Sequence, residues 1–264
     1  MRKTTKIWLV IAAILVVVGC MMFGGVMAVL GWDFVKLSTD KYETNKYEIE
    51  EDFNAISMNT DTADITFVPS EDAKCKVVCY EQENATHSVA VKDNTLVIET
   101  IDSRTWYEYV GINFGTPEIT VYLPKKVYTS LSINEDTGDI TVSDMTCLGD
   151  ITLNVSTGET TLTNVECKNL ISSGSTGYVF LNHVIATEKF SIKRNTGDVR
   201  FDGSDATEIF VETSTGDING TLLSEKVFIA QTDTGKIRVP KTVTGGRCEL
   251  TTDTGDIKIK YTGE

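Results

Sequence analysis

The chain has 264 residues, 38 acidic against 24 basic, and a formal net charge of −14. That balance excludes electrostatic capture of nucleic acid or anionic headgroups by the protein as a whole. With two histidines, six cysteines and no Cys-x-x-Cys pair, the ligand density of a zinc domain is missing, and no metal or cofactor is expected.

Residues 1–6 form a short basic tail with Arg2, Lys3 and Lys6. Residues 7–30 carry no charge and are long enough to span a bilayer as one helix. No acidic residue precedes Asp33, so the positive-inside rule puts the N-terminus in the cytoplasm and the rest outside. Trp32 and Phe34 stand where an interfacial aromatic belt belongs. Two alternatives stay open. Val17-Val18-Gly19-Cys20 resembles a lipoprotein box, which would anchor the chain through a lipid on Cys20, although the apolar run continues to Leu30. A cleaved secretory signal normally has a shorter apolar stretch. All three place residues 31–264 outside the cytoplasm. Three of the 24 basic residues precede Ile7, so residues 31–264 hold 21 against 38 acidic, a net −17. Such a surface keeps an exposed protein soluble and attracts cationic peptides or basic partner surfaces.

Residues 31–50 are expected to form a stalk and residues 51–130 a sheet-rich cap. Asp61-Thr62-Ala63-Asp64-Ile65 reads as a degenerate first coil. Cys75–Cys79 reads as a strand, Val89–Ile98 as a hairpin, and Glu118–Leu123 as a strand ended by Pro124. Within the cap, Trp106, Tyr107 and Tyr109 lie in an aromatic run from Arg104 to Phe114. Exposed, it is a ligand patch for glycan or peptide; the alternative packs Val110, Ile112 and Phe114 inward.

From residue 131 one phrase repeats. It is Asp136-Thr137-Gly138-Asp139-Ile140 at first, and its glycine recurs as Gly158, Gly177, Gly197, Gly216, Gly235 and Gly255, at steps of 19 or 20 residues. A period of this size marks one supersecondary unit stacked on copies of itself. Two and four residues after each glycine the chain is mostly apolar, as in Ile140 and Val142, with a mainly polar residue between: a strand buried on one face. A second strand precedes each turn. Glycine suits a positive φ or a close approach between coils. The Asp, Ser or Asn two residues before it can accept a backbone N–H. The residue after it reads Asp139, Glu159, Tyr178, Asp198, Asp217, Lys236, Asp256, never acidic for more than two successive coils in chain order, which suits a solvated face. The expected fold is all-β: a right-handed parallel β-solenoid of about seven coils, with an N-terminal sheet-rich cap and one N-terminal transmembrane helix.

The anchor, the recurring Thr-Gly-Asp-Ile phrase and the sheet-rich first half resemble a bacterial family of "putative adhesins", of unknown function and described by its β-strand repeats. The resemblance covers most of residues 50–264. It implies a β-solenoid, links in some relatives to cell-envelope stress, and no catalytic motif.

Catalytic patterns weigh little against their structural readings. Asp-Thr-Gly occurs at Asp136, Asp233 and Asp253, but Ser or Asn replaces the Asp in other coils, as a turn residue allows and an aspartic-protease carboxylate does not. Asp198, Arg200, Asp217 and Arg238 could meet across coils as in a polysaccharide-active solenoid, or simply make cross-coil ion pairs. Cys147 and Cys167 should be coil neighbours, either free thiols in a buried column or a disulfide. The leading expectation is a non-enzymatic surface solenoid acting as adhesin-like binder, scaffold or envelope-stress accessory; a ligand- or cationic-peptide-sensing module is second, an enzyme third. Its partners would be the membrane, another envelope protein, a glycan or a cationic peptide, not nucleic acid. Lys258 and Lys260 on the last coil should guard an open edge and keep the ectodomain monomeric.

Overall fold

A computed structural model describes residues 3–33, 41–105 and 115–263. The chain divides into two compact units, Met1–Tyr42 with Arg104–Gly115, and Glu43–Ser103 with Thr116–Glu264.

In the first unit, Lys3–Val29 is one helix of 27 residues, about 40 Å of helix against about 30 Å of bilayer hydrocarbon. Most of its apolar side chains, Ile7, Trp8 and Leu15 among them, are exposed, with Met27 buried near its end. A surface of that kind is stable in lipid and not in water. Length and composition therefore fit a membrane span, and a signal sequence shares both properties. In the same unit the Tyr42 hydroxyl donates to the Gly115 carbonyl at 2.9 Å.

The second unit is a stack of parallel strands in solenoid-like register. Ile140 pairs with Thr160, Thr160 with Val179, Val179 with Val199 and Val199 with Ile218. These positions face inward and are fully buried. All but Thr160 belong to one continuous apolar core running from Phe53 to Ile259. β-Branched residues suit such positions because the pleat presents them to the rungs on either side. Long strands, Thr160–Thr176, Val179–Thr196 and Val199–Thr215, run from one glycine turn to the next. They bend at a column of left-handed residues six places after the glycine: Asp144, Asn164 and His183 at φ 53° and Gly203 at 55°. Asp and Asn tolerate that conformation, and the Asn164 amide donates to the Asp144 carboxylate one rung away at 2.9 Å.

Rung order departs from chain order at both ends. Ala55–Thr62 pairs with Ser130–Thr137 on one side and with Thr95–Asp102 on the other. The degenerate coil is therefore the rung directly beneath Gly138, and Thr95–Asp102 with Glu118–Leu123 lies beneath that. The antiparallel hairpin Cys75–Gln82 and Ala85–Lys92 closes this end. Tyr42–Ile49, inside the expected stalk, is instead a strand paired with Cys75–Gln82. At the other end Gly246–Thr254 inserts between Val199–Thr215 and Lys226–Thr234. Ile257 consequently pairs with both Ile218 and Ile237. The last rung among the described residues carries Gly235, not Gly255. Lys258, expected at an open edge, lies in an interior rung between Asn219 and Arg238. The open edge is Lys226–Thr234, where Val227 and Ile229 are exposed.

All six cysteines are free. Cys147 and Cys167 lie in a buried column that continues as Ala186 and Ala206. Burial pushes the Cys167 thiol up to about 12.

Candidate functional site

The glycine turns form one column, and the reason is steric. A Cβ on Gly197, at φ 147°, would lie 2.1 Å from the Gly177 carbonyl oxygen, and the contact repeats from rung to rung. The turn N–H expected to meet the Asp, Ser or Asn side chain goes elsewhere. Gly138 N–H donates to the Thr157 carbonyl at 3.0 Å, and Gly158 N–H to Thr176 at 2.9 Å. The backbone of the next rung satisfies the turn.

The residue after each glycine is more than a solvated charge. The Asp64 carboxylate accepts the Asp139 N–H at 2.9 Å, and Asp139 accepts that of Glu159 at 2.8 Å. Asp198 caps Asp217 N–H at 2.8 Å, Asp217 caps Asp256 at 2.7 Å, and Asp256 caps Lys236 at 2.8 Å. Spatial order turns the column into two runs of three acids separated by Tyr178, where two at most were expected. Glu159 instead faces the Tyr178 hydroxyl and raises its pKa. Lys236 occupies the terminal rung, where no following N–H needs a carboxylate.

Beside the turns of the last rungs lies a concavity of about 440 Å³, lined by Arg200, Lys236, Arg238, Lys258 and Lys260 with Asp202, Asp217 and Asp256. Arg200 pairs in register with Asn219, Asn219 with Lys258, and Lys258 with Arg238. Asp198, Arg200, Asp217 and Arg238 thus share one region, as the repeat suggested. The expected ion pairs are absent among the described residues: none of the five cations is within salt-bridge distance of a carboxylate. Arg200 lies over the Phe180 ring at 5.3 Å.

At the hairpin end a larger groove, about 870 Å³, is lined by Glu48, Glu50, Glu51, Asp52, Glu71 and Asp72 with Lys74, Lys76 and Lys126. Two of those lysines sit over rings, Lys126 at 4.6 Å from Phe53 and Lys76 at 6.0 Å from Tyr122. The groove is acidic in balance.

The fold also brings together Cys79, Glu81 and His87, which the spacing did not pair. One donor atom from each lies within 4.8 Å of the others, all buried. A nitrogen, an oxygen and a sulfur are zinc's usual donors. Here, however, the Glu81 carboxylate is already taken: it accepts His87 N–H at 2.7 Å and Asn45 Nδ2 at 2.8 Å, and meets His87 Nδ1 at 2.6 Å. Burial, reinforced by Glu81, pushes the Cys79 thiol up to about 12. The arrangement is a satisfied knot that pins the hairpin to Tyr42–Ile49. Alternation Cys-x-Glu on one strand face was the only sequence signal for it.

Trp106, Tyr107 and Tyr109, the expected ligand patch, lie outside the described residues.

These stacked parallel rungs define a β-solenoid-like domain. The chain belongs to the Toastrack DUF4097 family, whose model matches residues 53–264. No curated protein matches it. Among solved structures, a putative adhesin from Bacteroides fragilis is 22% identical with a TM-score of 0.55; the match covers 83% of this chain and 97% of that one. A putative adhesin from Parabacteroides distasonis is 14% identical with a TM-score of 0.45, over 83% and 98% of the two chains. A putative cell adhesion protein from Clostridium sporogenes is 16% identical with a TM-score of 0.39, over 85% and 100%.

Proposed function

We propose that this protein is a non-enzymatic surface binder: a right-handed β-solenoid of seven coils over residues 131–264, anchored by residues 7–30, with the N-terminus in the cytoplasm and the solenoid outside. Adhesin-like binding, scaffolding and an accessory role in envelope stress all use such a surface. The observation that carries the reading is what the surface carboxylates do. The aspartates of the turn column are tied to backbone N–H groups of the next rung. A carboxylate committed to capping is poorly placed to shuttle protons, so the grooved face serves recognition rather than acid–base chemistry.

Protease added to intact cells should digest residues 31–264 and leave the anchor; protection of the repeats would refute the orientation. Fatty-acid labelling lost on Cys20→Ala would replace the helical anchor with a lipid. Capture of envelope material by the full chain in nanodiscs is the expected functional readout. Turnover of an envelope polysaccharide would overturn the non-enzymatic reading.

The acidic groove favours a second reading, a sensor of cationic peptides. Its carboxylates would meet a basic segment, and the ring-held lysines do not cancel them.

A further inference from the structure

The protein is strongly acidic, yet the turn-side face of its last four rungs collects five cations. We infer that this concavity binds a linear acidic polysaccharide, its carboxylates seated on Arg200, Lys258 and Arg238. This rests on the surface-binder reading and names its ligand.

Three observations carry it. First, the cations are exposed and none is neutralised by a carboxylate within salt-bridge distance among the described residues. Two of the three lining aspartates, Asp217 and Asp256, each spend an oxygen on the next rung's N–H. Second, the cations are spaced by the rungs. Arg200, Asn219, Lys258 and Arg238 occupy consecutive rungs in register, so Arg200 and Arg238 stand about 14 Å apart along the stack. An extended chain with a charge at each repeat can lie along that column, while a compact anion meets only one or two of them. Two guanidinium groups can hold carboxylates bidentately. Third, the lining includes three aspartates among the five cations. The resulting field is modestly positive, which suits one monoanion per repeat better than a dense polyphosphate. The lining offers no exposed aromatic platform for stacking bases, which disfavours nucleic acid. Elsewhere the net charge repels a polyanion, so encounter is steered to this end.

The test is calorimetric titration of the full chain in nanodiscs with a galacturonic-acid hexamer and with a neutral galactose hexamer. The acidic oligomer should bind at least about tenfold more tightly than the neutral one. Its affinity should fall several-fold as salt rises from about 20 to about 200 mM. Arg238→Gln with Lys258→Gln should weaken it about tenfold or more with the melting temperature unchanged. Lys260→Gln, on a residue paired only with Thr221, perturbs the stack least and should weaken it about threefold. Lys193→Gln, whose lysine already pairs with Glu212, should change nothing. Equal binding of the neutral hexamer, or full affinity in both the Arg238→Gln/Lys258→Gln and the Lys260→Gln variants, would overturn the site. Tighter binding of linear polyphosphate, lost in the same variants, would overturn the carboxylate assignment. If the hexamer fails while envelope capture persists, this inference falls and the surface-binder reading stands.

Discussion

A single glycine in this stack answers to two demands at once. Gly197 needs φ 147°, and its missing Cβ leaves room for a carbonyl that would sit 2.1 Å away. Gly197→Ala should therefore destabilise by about 2 kcal/mol or more in a denaturant titration, since neither strain nor overlap is relieved by a rotamer change. Its neighbour gives a graded contrast. Asp198→Ala removes the acceptor of Asp217 N–H and should cost about 1 kcal/mol, whereas Asp198→Asn keeps an oxygen there and should cost less than about 0.5 kcal/mol. Equal losses would mean that charge, rather than the cap, is what matters. Glu135 is a different kind of residue. It is 3% exposed, accepts the Ala63 N–H at 3.0 Å and the Thr60 hydroxyl, and so ties the out-of-sequence rung to the first full coil. Burial raises its carboxyl to about 7, against hydrogen bonds that pull it down. A folded-state value above the unfolded one means that the native state holds the extra proton. Its contribution is present below about pH 4.5 and is lost as pH rises through about 7, on the order of 3 kcal/mol in all. Glu135→Gln should flatten that part of the stability–pH curve; an unchanged slope would assign it to other groups.

Among the elements, the hairpin is held by a polar knot as well as by the buried Cys75, Val77 and Cys79. Asn45 and His87 both converge on Glu81, and the Tyr47 hydroxyl donates to the His87 carbonyl at 3.0 Å. Glu81→Ala strands the buried His87 and leaves Asn45 only its Glu43 partner, and should cost about 3 kcal/mol. Hydrogen exchange should localise the loss to Tyr42–Ile49 and Ala85–Lys92, with the glycine-turn rungs still protected. Uniform loss of protection would show that the hairpin and the stack unfold as one. The long strands further along bend rather than break because their corners carry residues that accept a left-handed backbone. Arg194, in the same stack, is enclosed because Gly174 sits beneath it. Its guanidinium reaches Ser172 at 2.9 Å and Thr160 at 3.2 Å, while burial lowers it to about 10. No carboxylate pairs with it among the described residues, and nothing in the structure explains why a cation fills this place.

At the scale of the molecule, rung order is the decisive property. If coils stacked in chain order, Ile257 would end the core and Ile237 would be interior. The structure reverses them: Ile257 is 0% exposed and Ile237 44%. Ile257→Ala should therefore cost about 2–5 kcal/mol and Ile237→Ala well under half of that, read from chemical denaturation of the full chain in micelles. The opposite ranking would restore sequential stacking. The reversal also changes which edge is open. Charged Lys258 sits inside the stack, and the outermost strand is the apolar Val227–Ala230 segment flanked by an ion pair, Lys226 to Asp205 at 2.6 Å. The guarded C-terminal edge expected from the sequence is thus not the edge this molecule has.

The sequence by itself determined the rung. The 19- and 20-residue period, the apolar residues two and four after each glycine, and the glycine itself follow from local rules: alternation places one face inward, and only a residue without Cβ fits where backbones touch. It also determined the apolar helix, whose side chains have no polar face to offer water. The corner column of Asp144, Asn164, His183 and Gly203, six residues after the turn, came from the backbone alone: Asp, Asn, His and Gly share a tolerance of positive φ rather than a hydropathy that alternation would mark. What only the tertiary structure decided is which rung lies next to which. Every rung presents the same backbone edge and a similar inward column, so registry between rungs is nearly degenerate in sequence. Ala63 beneath Gly138 and Gly255 between Gly216 and Gly235 are choices made by long-range pairing. The candidate sites inherit that ambiguity. The knot at Glu81 needs a strand from Tyr42–Ile49 and a hairpin turn to meet, and the cation column needs the last rungs in their exchanged order to leave Lys236 and Arg238 at the end of the stack, free of a covering rung.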